Sequence, residues 1–363
     1  MLKTKNNPAS ERIKDLIKLK LIKKNLFLAA LLLVTVAGFV PFSPGMPWES
    51  LDPSWVYGMN EAVAQGMSFG KDIVFTFGPY ASIYTKTYHP ATDKLMICGS
   101  LFLAISFTIA TYLNFRMTRG LLKLGLLVVL NTVTNNLDAL FFFYPMLVGV
   151  QFYHWARSFD SKREVSTAEI SLTLALLIPF GLLPLIKGSA LIACVAISVL
   201  LIALLARRGE WKICTLIIVI PLVSLVIFWL LSGQPLLGIT DYFVGLLPII
   251  SGYTEAMAIN GNPIQYILYM AAAAALAALL IRETHDSAYD KSAIVLIFLL
   301  ILFLAFKAGF VRHDGHAIIS GNMILLAALL AGTLINTQGY FNVLLACLVV
   351  WIYIDAAHIK TST

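Results

Sequence analysis

The chain is dominated by apolar runs too long and too uncharged to end as the core of a water-soluble domain. A hydrocarbon layer about 30 Å thick is crossed by roughly 20 helical residues. Runs of that kind lie near 25–41, 94–115, 120–135, 138–156, 168–185, 188–206, 211–231, 263–281, 292–307, 317–335 and 339–356, about eleven in all. The pair at 120–135 and 138–156 is the least sharply marked, because Asn131, Thr134, Asn135 and Asn136 interrupt it. Only 12% of the residues are charged, against roughly 25% in soluble domains. Backbone polar groups in lipid must be paired within their own segment, so the spans are helices. The fold class is therefore an all-α integral membrane protein, with a long outer first loop between the first two spans. Its expected organisation is a basic amphipathic tail over 1–24, then one transmembrane helical domain over 25–363 that includes the outer loop 42–93.

A net charge of +7 invites a nucleic-acid reading, and the distribution of that charge rejects it. Lys3, Lys5, Arg12, Lys14, Lys18, Lys20, Lys23 and Lys24 crowd the N-terminal tail. Further basic clusters are Arg116/Arg119/Lys123, Arg157/Lys162/Arg163 and Arg207/Arg208/Lys212. These fall at alternate loops, the positive-inside pattern. The expected orientation puts the N-terminus in the cytoplasm and, with an odd number of spans, the C-terminus outside. The tail carries Ile13, Leu16, Ile17 and Leu21 between its lysines, which suits an anionic inner-leaflet surface. No small-residue cleavage site follows the first apolar run, so it reads as an anchor. The four cysteines (Cys98, Cys194, Cys214 and Cys347) all sit inside apolar runs, which argues against a disulfide framework.

With that orientation, every unusual polar cluster falls on the outer side. The first outer loop is the richest. Asp52-Pro53 reads as a helix start, with Asp as N-cap and Pro at the first helical position. Trp55, Val56, Met59, Ala62 and Val63 follow at helical spacing up to Gly66, as in a short helix lying in the interface. Gly70-Lys71-Asp72 and Gly78-Pro79-Tyr80 punctuate the return to the membrane. Asp138, after a run of amides, either caps the fourth span or joins Asp52 as a second acid in one outer site. Near 178–187, Pro179, Gly181 and Pro184 precede a lone Lys187; irregular backbone at that depth borders a cavity, and the lysine either snorkels or binds phosphate. The stretch 232–262 reads as an outer loop. The last outer loop carries Lys307, Arg312, His313, Asp314 and His316. Two histidines three apart tempt a metal reading, but no third ligand accompanies them. Lysine, arginine and two histidines suit a phosphate or pyrophosphate cradle, and a charged turn at the bilayer edge is the plain alternative. No P-loop, G-x-S-x-G, H-E-x-x-H or dinucleotide-binding fingerprint is present.

An inside N-terminus, one span, a long outer loop with an early acid and interfacial helices, then many spans: this pattern resembles the GT-C superfamily of membrane glycosyltransferases. Asp52, the helix to Gly66, and the Gly70-Lys71-Asp72 and Gly78-Pro79-Tyr80 runs are similar to the family's catalytic acid and the stretch downstream of it. Asp138 is similar to the second acidic position of some members. The sequence departs from the pattern in showing Asp-Pro-Ser where an acidic pair often stands. The resemblance implies a polyprenyl-phosphate-linked sugar as donor and an envelope glycan or lipid as acceptor. It implies Asp52 as general base and Asp138 and Asp72 as orienting the acceptor or holding a divalent ion such as Mg or Mn. It makes Lys187, Lys307, Arg312, His313 and His316 the groups that meet the lipid phosphate, in a bacterial inner membrane with the site on the periplasmic face. Two other readings stay open: a transporter or flippase for lipid-linked saccharides, and a non-catalytic assembly partner. A transporter predicts ionisable groups near mid-span, and the apolar centres carry few.

Overall fold

The computed structural model describes residues 8–49, 51–157, 166–284 and 287–359. These form fifteen helices: α1 (Pro8–Phe39), α2 (Leu51–Ala64), α3 (Ala81–Thr85), α4 (Asp93–Phe115), α5 (Gly120–Val133), α6 (Leu137–Ala156), α7 (Thr167–Leu177), α8 (Pro179–Ile186), α9 (Ser189–Ala206), α10 (Trp211–Leu231), α11 (Gly238–Met257), α12 (Pro263–Glu283), α13 (Ala288–Phe310), α14 (Ala317–Ala331) and α15 (Gln338–Ile359). Seven are long and apolar enough to cross a bilayer: the 22–39 part of α1, then α4, α9, α10, α12, α13 and α15. Shorter apolar helices or stretches lie over Gly120–Val133, Ile170–Ile186, Gly238–Gly252 and Ala317–Ala331. The chain is an all-α integral membrane protein.

Helix α6 is the hub, packed against α4, α9, α13 and α14. Its run Leu140-Phe141-Phe142-Phe143-Tyr144 is apolar on every side and buried on every side, as expected of a helix enclosed by others. The outer ring shows the opposite pattern. Leu222, Val223 and Ile227 on α10, and Leu345 and Val349 on α15, point away from the protein, because lipid is as apolar a solvent as the core. Between spans, small polar groups join backbones at close range. Thr35 and Thr108 share a 2.6 Å hydrogen bond between α1 and α4. The Asn114 amide donates to the Ala110 and Leu147 carbonyls, tying α4 to α6.

Four expectations are modified. The basic stretch and the first span form one continuous helix, α1, with no break near residue 24. Helix α2 begins at Leu51, so Asp52 lies within its first turn rather than capping it; the Asp52 side chain is outside the described residues. The fifth apolar run is broken once, at Ile178, where the Pro179 ring cannot continue α7; Pro184 is accommodated inside α8. Residues 232–262 are mostly helix rather than loop. Within α11, Tyr242 and Leu246, four apart, are buried while Val244 and Leu247 are exposed. Its polar residues, Asp241 among them, hid a helical stripe.

Candidate functional site

The site grows from the end of α8. The last carbonyls of a helix have no partner within it, and here each is met. The Lys187 amide donates to Leu183, the Tyr242 hydroxyl to Pro184 at 2.8 Å, the Tyr80 amide to Leu185 at 3.1 Å and the Gly78 amide to Ile186 at 3.2 Å. The Gly188 amide in turn donates to the Thr76 carbonyl at 2.8 Å. Residues 76–80 of the segment between α1 and α4 are thus laid along the end of α8 as a single antiparallel bridge between Phe77 and Lys187. The fit demands glycine: a Cβ on Gly78 would stand 2.4 Å from the Leu185 carbonyl and 2.5 Å from the Tyr242 hydroxyl. Gly70 holds the same segment against α11. Its φ of +93° favours glycine, and a Cβ there would meet the Tyr242 backbone nitrogen at 2.2 Å. Gln234 completes the docking, accepting from the Phe69 amide at 2.9 Å and donating to the Met67 carbonyl at 3.0 Å.

This docking turns the Lys187 ammonium onto Asp138, with Nζ 2.5 Å from Oδ1. The Tyr84 hydroxyl donates to the other carboxylate oxygen at 2.7 Å. Asp138 is in the first turn of α6, where the helix dipole favours an anion, and Asn136 is the cap, accepting from the Ala139 amide at 3.1 Å. Asp138 is thereby free for a role other than capping. The pair is largely sealed from water, with side-chain exposures of 18% for Lys187 and 9% for Asp138. Aromatic rings form the seal. The ammonium lies 4.6 Å from the Tyr84 ring centre and 5.2 Å from that of Phe77, within cation–π range. Trp55 of α2 stacks on Phe77 at 4.9 Å, and Phe75 lies 5.5 Å from Trp55.

A second cluster forms where α13 turns into α14. Residues 311–313 pair with Ile259, through the Ile259 amide to the Val311 carbonyl at 3.0 Å and the His313 amide to the Ile259 carbonyl at 3.3 Å. Arg312 and His316 both turn onto Asp314, at 2.8 and 2.6 Å. Burial raises the Asp314 carboxyl, but the His316 amide and ring and the Arg312 guanidinium outweigh it and bring it down to about 2. The cations expected to cradle phosphate are therefore partly neutralised by the acid between them. His313 is buried and shares the Gln265 carbonyl oxygen with His358, at 2.7 and 3.0 Å. Burial, then the neighbouring His358, lowers the His313 pKa against the smaller opposing pull of Asp314.

That shift has a pH consequence. A histidine held below its unfolded value of about 6.5 contributes stability above that pH and loses it as acidification protonates the unfolded state first. Protection of the amides at residues 259 and 311–313, read as exchange relative to an unstructured amide at the same pH, is expected to fall between about pH 7.5 and 5.5. His313→Gln, which cannot titrate, is expected to remove the part of that loss carried by residue 313.

The remaining expected site residues lie apart. Asp72 is exposed and closes a turn by accepting from the Ser68 amide at 2.9 Å. Lys307 is exposed in the last turn of α13. Both Asp138 oxygens are engaged, by Lys187 and Tyr84, and among the described residues no three or more His, Cys, Asp or Glu are grouped as a metal would need. Tyr84, Gln265 and His358 carry site contacts that sequence reasoning missed. Gln265 and His358 had a signal, as polar residues near the ends of otherwise apolar runs; Tyr84 had none. All four cysteines are free thiols. Comparison with protein-family models, characterised proteins and solved structures gave no match to this chain.

Proposed function

We propose that the protein is a glycosyltransferase embedded in the bacterial inner membrane, moving a sugar from a polyprenyl-phosphate donor to an envelope glycan or lipid at the periplasmic face. The carrying observation is the sealed Asp138–Lys187 pair beneath the aromatic wall of Trp55, Phe75 and Phe77. On this reading α1, α4, α5, α6, α7 with α8, α9, α10, α12, α13, α14 and α15 make eleven crossings, and α11 lies in the interface. The basic N-terminus is then cytoplasmic and the C-terminus periplasmic. The Asp138 end of α6, the end of α8 and the 311–316 turn all face outward.

In the free protein the ammonium neutralises Asp138. A donor phosphate entering from the outer leaflet competes for Lys187, an ammonium well suited to a phosphate, and releases the Asp138 carboxylate to orient the acceptor hydroxyl. Asp52, which the GT-C resemblance makes the general base, takes that hydroxyl's proton as its oxygen bonds to the sugar C1. The bond from C1 to the phosphate oxygen breaks, and the polyprenyl phosphate leaves with its charge met by Lys187. A transporter reading needs ionisable groups in the middle of the spans. The buried carboxylates and histidines among the described residues (His89, Asp138, Glu210 and His313) stand in loops or at helix starts, which favours chemistry at one surface.

The test is the lipid-linked-sugar and envelope-glycan profile, by mass spectrometry, of cells lacking the protein and complemented with wild type or Asp52→Asn. Asn keeps the shape and removes the base, so the variant is expected to insert normally, lose the glycan and accumulate the donor. Full complementation by Asp52→Asn rules Asp52 out as the base.

A further inference from the structure

At the end of the bundle opposite Asp138, α4, α6 and α14 finish and α5 and α15 begin around a cavity of about 560 Å³. Its mouth carries Arg116 and Arg119, both exposed, together with Asn336; its depth carries Asn114, His154 and Tyr340. Among the described residues no carboxylate lines it and neither arginine is in an ion pair. Leu122, Leu329 and Leu344 supply apolar walls, so the space is polar at one end and greasy along its sides.

Two of the lining residues are unfinished. Asn114 is 5% exposed and spends its amide hydrogens on Ala110 and Leu147, which leaves its carbonyl oxygen with no donor. Tyr340 is 2% exposed, and its hydroxyl has no partner. Polar atoms so deeply buried are rarely left unpaired. Both atoms are closed off behind the lining, so what the cavity presents is the two guanidiniums at its mouth, which match a phosphate bidentately, and the apolar walls behind them.

We propose that this cavity binds an anionic phospholipid. Arg116 and Arg119 take the phosphate, and the acyl chains lie along Leu122, Leu329 and Leu344. The site is independent of the transfer centre, since it is built from the other ends of the same helices.

The experiment is native mass spectrometry of the full-length protein in detergent, titrated with phosphatidylglycerol, with phosphatidylcholine, and with phosphatidylglycerol in competition with glycerol 3-phosphate. Wild type is expected to bind phosphatidylglycerol at least about tenfold more tightly than phosphatidylcholine, whose choline cation is held against two guanidiniums, a repulsion worth roughly that factor. The double variant Arg116→Gln/Arg119→Gln is expected to abolish the preference. Asn336→Glu, on an exposed residue whose change leaves the core untouched, is expected to weaken binding similarly by placing a carboxylate at the mouth. Equal binding of the two lipids, or an undiminished preference in both variants, overturns the proposal. Competition by glycerol 3-phosphate at concentrations comparable to the lipid also overturns it, by assigning the cavity to a water-soluble phosphate.

Discussion

Asp138→Asn is expected to destabilise the protein by on the order of 3 kcal/mol, the lower end for breaking a buried ion pair, and to abolish sugar transfer. The side chain keeps its shape, so the loss comes from charge. The Lys187 ammonium, only 18% exposed and enclosed by Phe77 and Tyr84, is left with a neutral amide as its partner. Lys187→Met alone strands the carboxylate in the same way, with Tyr84 as its remaining donor. The double variant Asp138→Asn/Lys187→Met carries neither charge and is expected to recover most of the stability, since replacing a buried pair outright is often neutral. It is not expected to recover transfer. Thermal unfolding in detergent reads the first quantity and the lipid-linked-sugar profile the second. Stability and transfer returning together in the double variant would make the pair a structural tie and nothing more.

The second large effect is expected at Gly78. Gly78→Val drives a branched side chain into the Leu185 carbonyl and the Tyr242 hydroxyl, both within 2.5 Å of where its Cβ must stand. The carbonyl is backbone at a helix end and cannot step aside. The expected result is that residues 76–80 lift from α8, the Leu185 and Ile186 carbonyls lose their donors, and the Phe77 ring leaves Lys187. Amide exchange at Gly78, Tyr80 and Gly188 should rise by about tenfold or more for each kcal/mol and a half of docking lost, while the spans stay protected. Gly58→Ala, at a position with nothing within 4 Å, is the matched control and should leave exchange unchanged.

The sequence discloses the parts of this molecule governed by the bilayer. Apolar length located α4, α9, α10, α12 and α13 closely, because one-dimensional hydrophobicity is the physical cause of those helices. It singled out Asp138 and Lys187 separately, each as an oddity of charge at the edge of an apolar run. That the two belong together was not legible. They are 49 positions apart, at the start of α6 and the end of α8, and neither the packing that brings those ends together nor the bridge of Phe77 to Lys187 is encoded by a periodicity. Arg312 and His316 show the converse: the sequence displayed their charges and hid that Asp314, in their midst, had already taken them. Helix α11 was hidden because polar residues, Asp241 among them, interrupt the stripe that it buries.

The way the end of α8 is finished bears on the order in which the protein is made. Its last carbonyls are met by donors from two distant parts of the chain: Gly78 and Tyr80, synthesised about a hundred residues earlier, and Tyr242, synthesised more than fifty later. Spans up to α10 can enter the bilayer as they emerge, each satisfied by its own hydrogen bonds. The segment before α4 meanwhile waits at the surface, because the partner that closes over Gly70 and Gly78 has not yet been translated. The docking of this segment is thus completed only after α11 arrives, and a nascent chain stalled before that point lacks the Tyr242 donor to Pro184 and the backbone against which Gly70 fits.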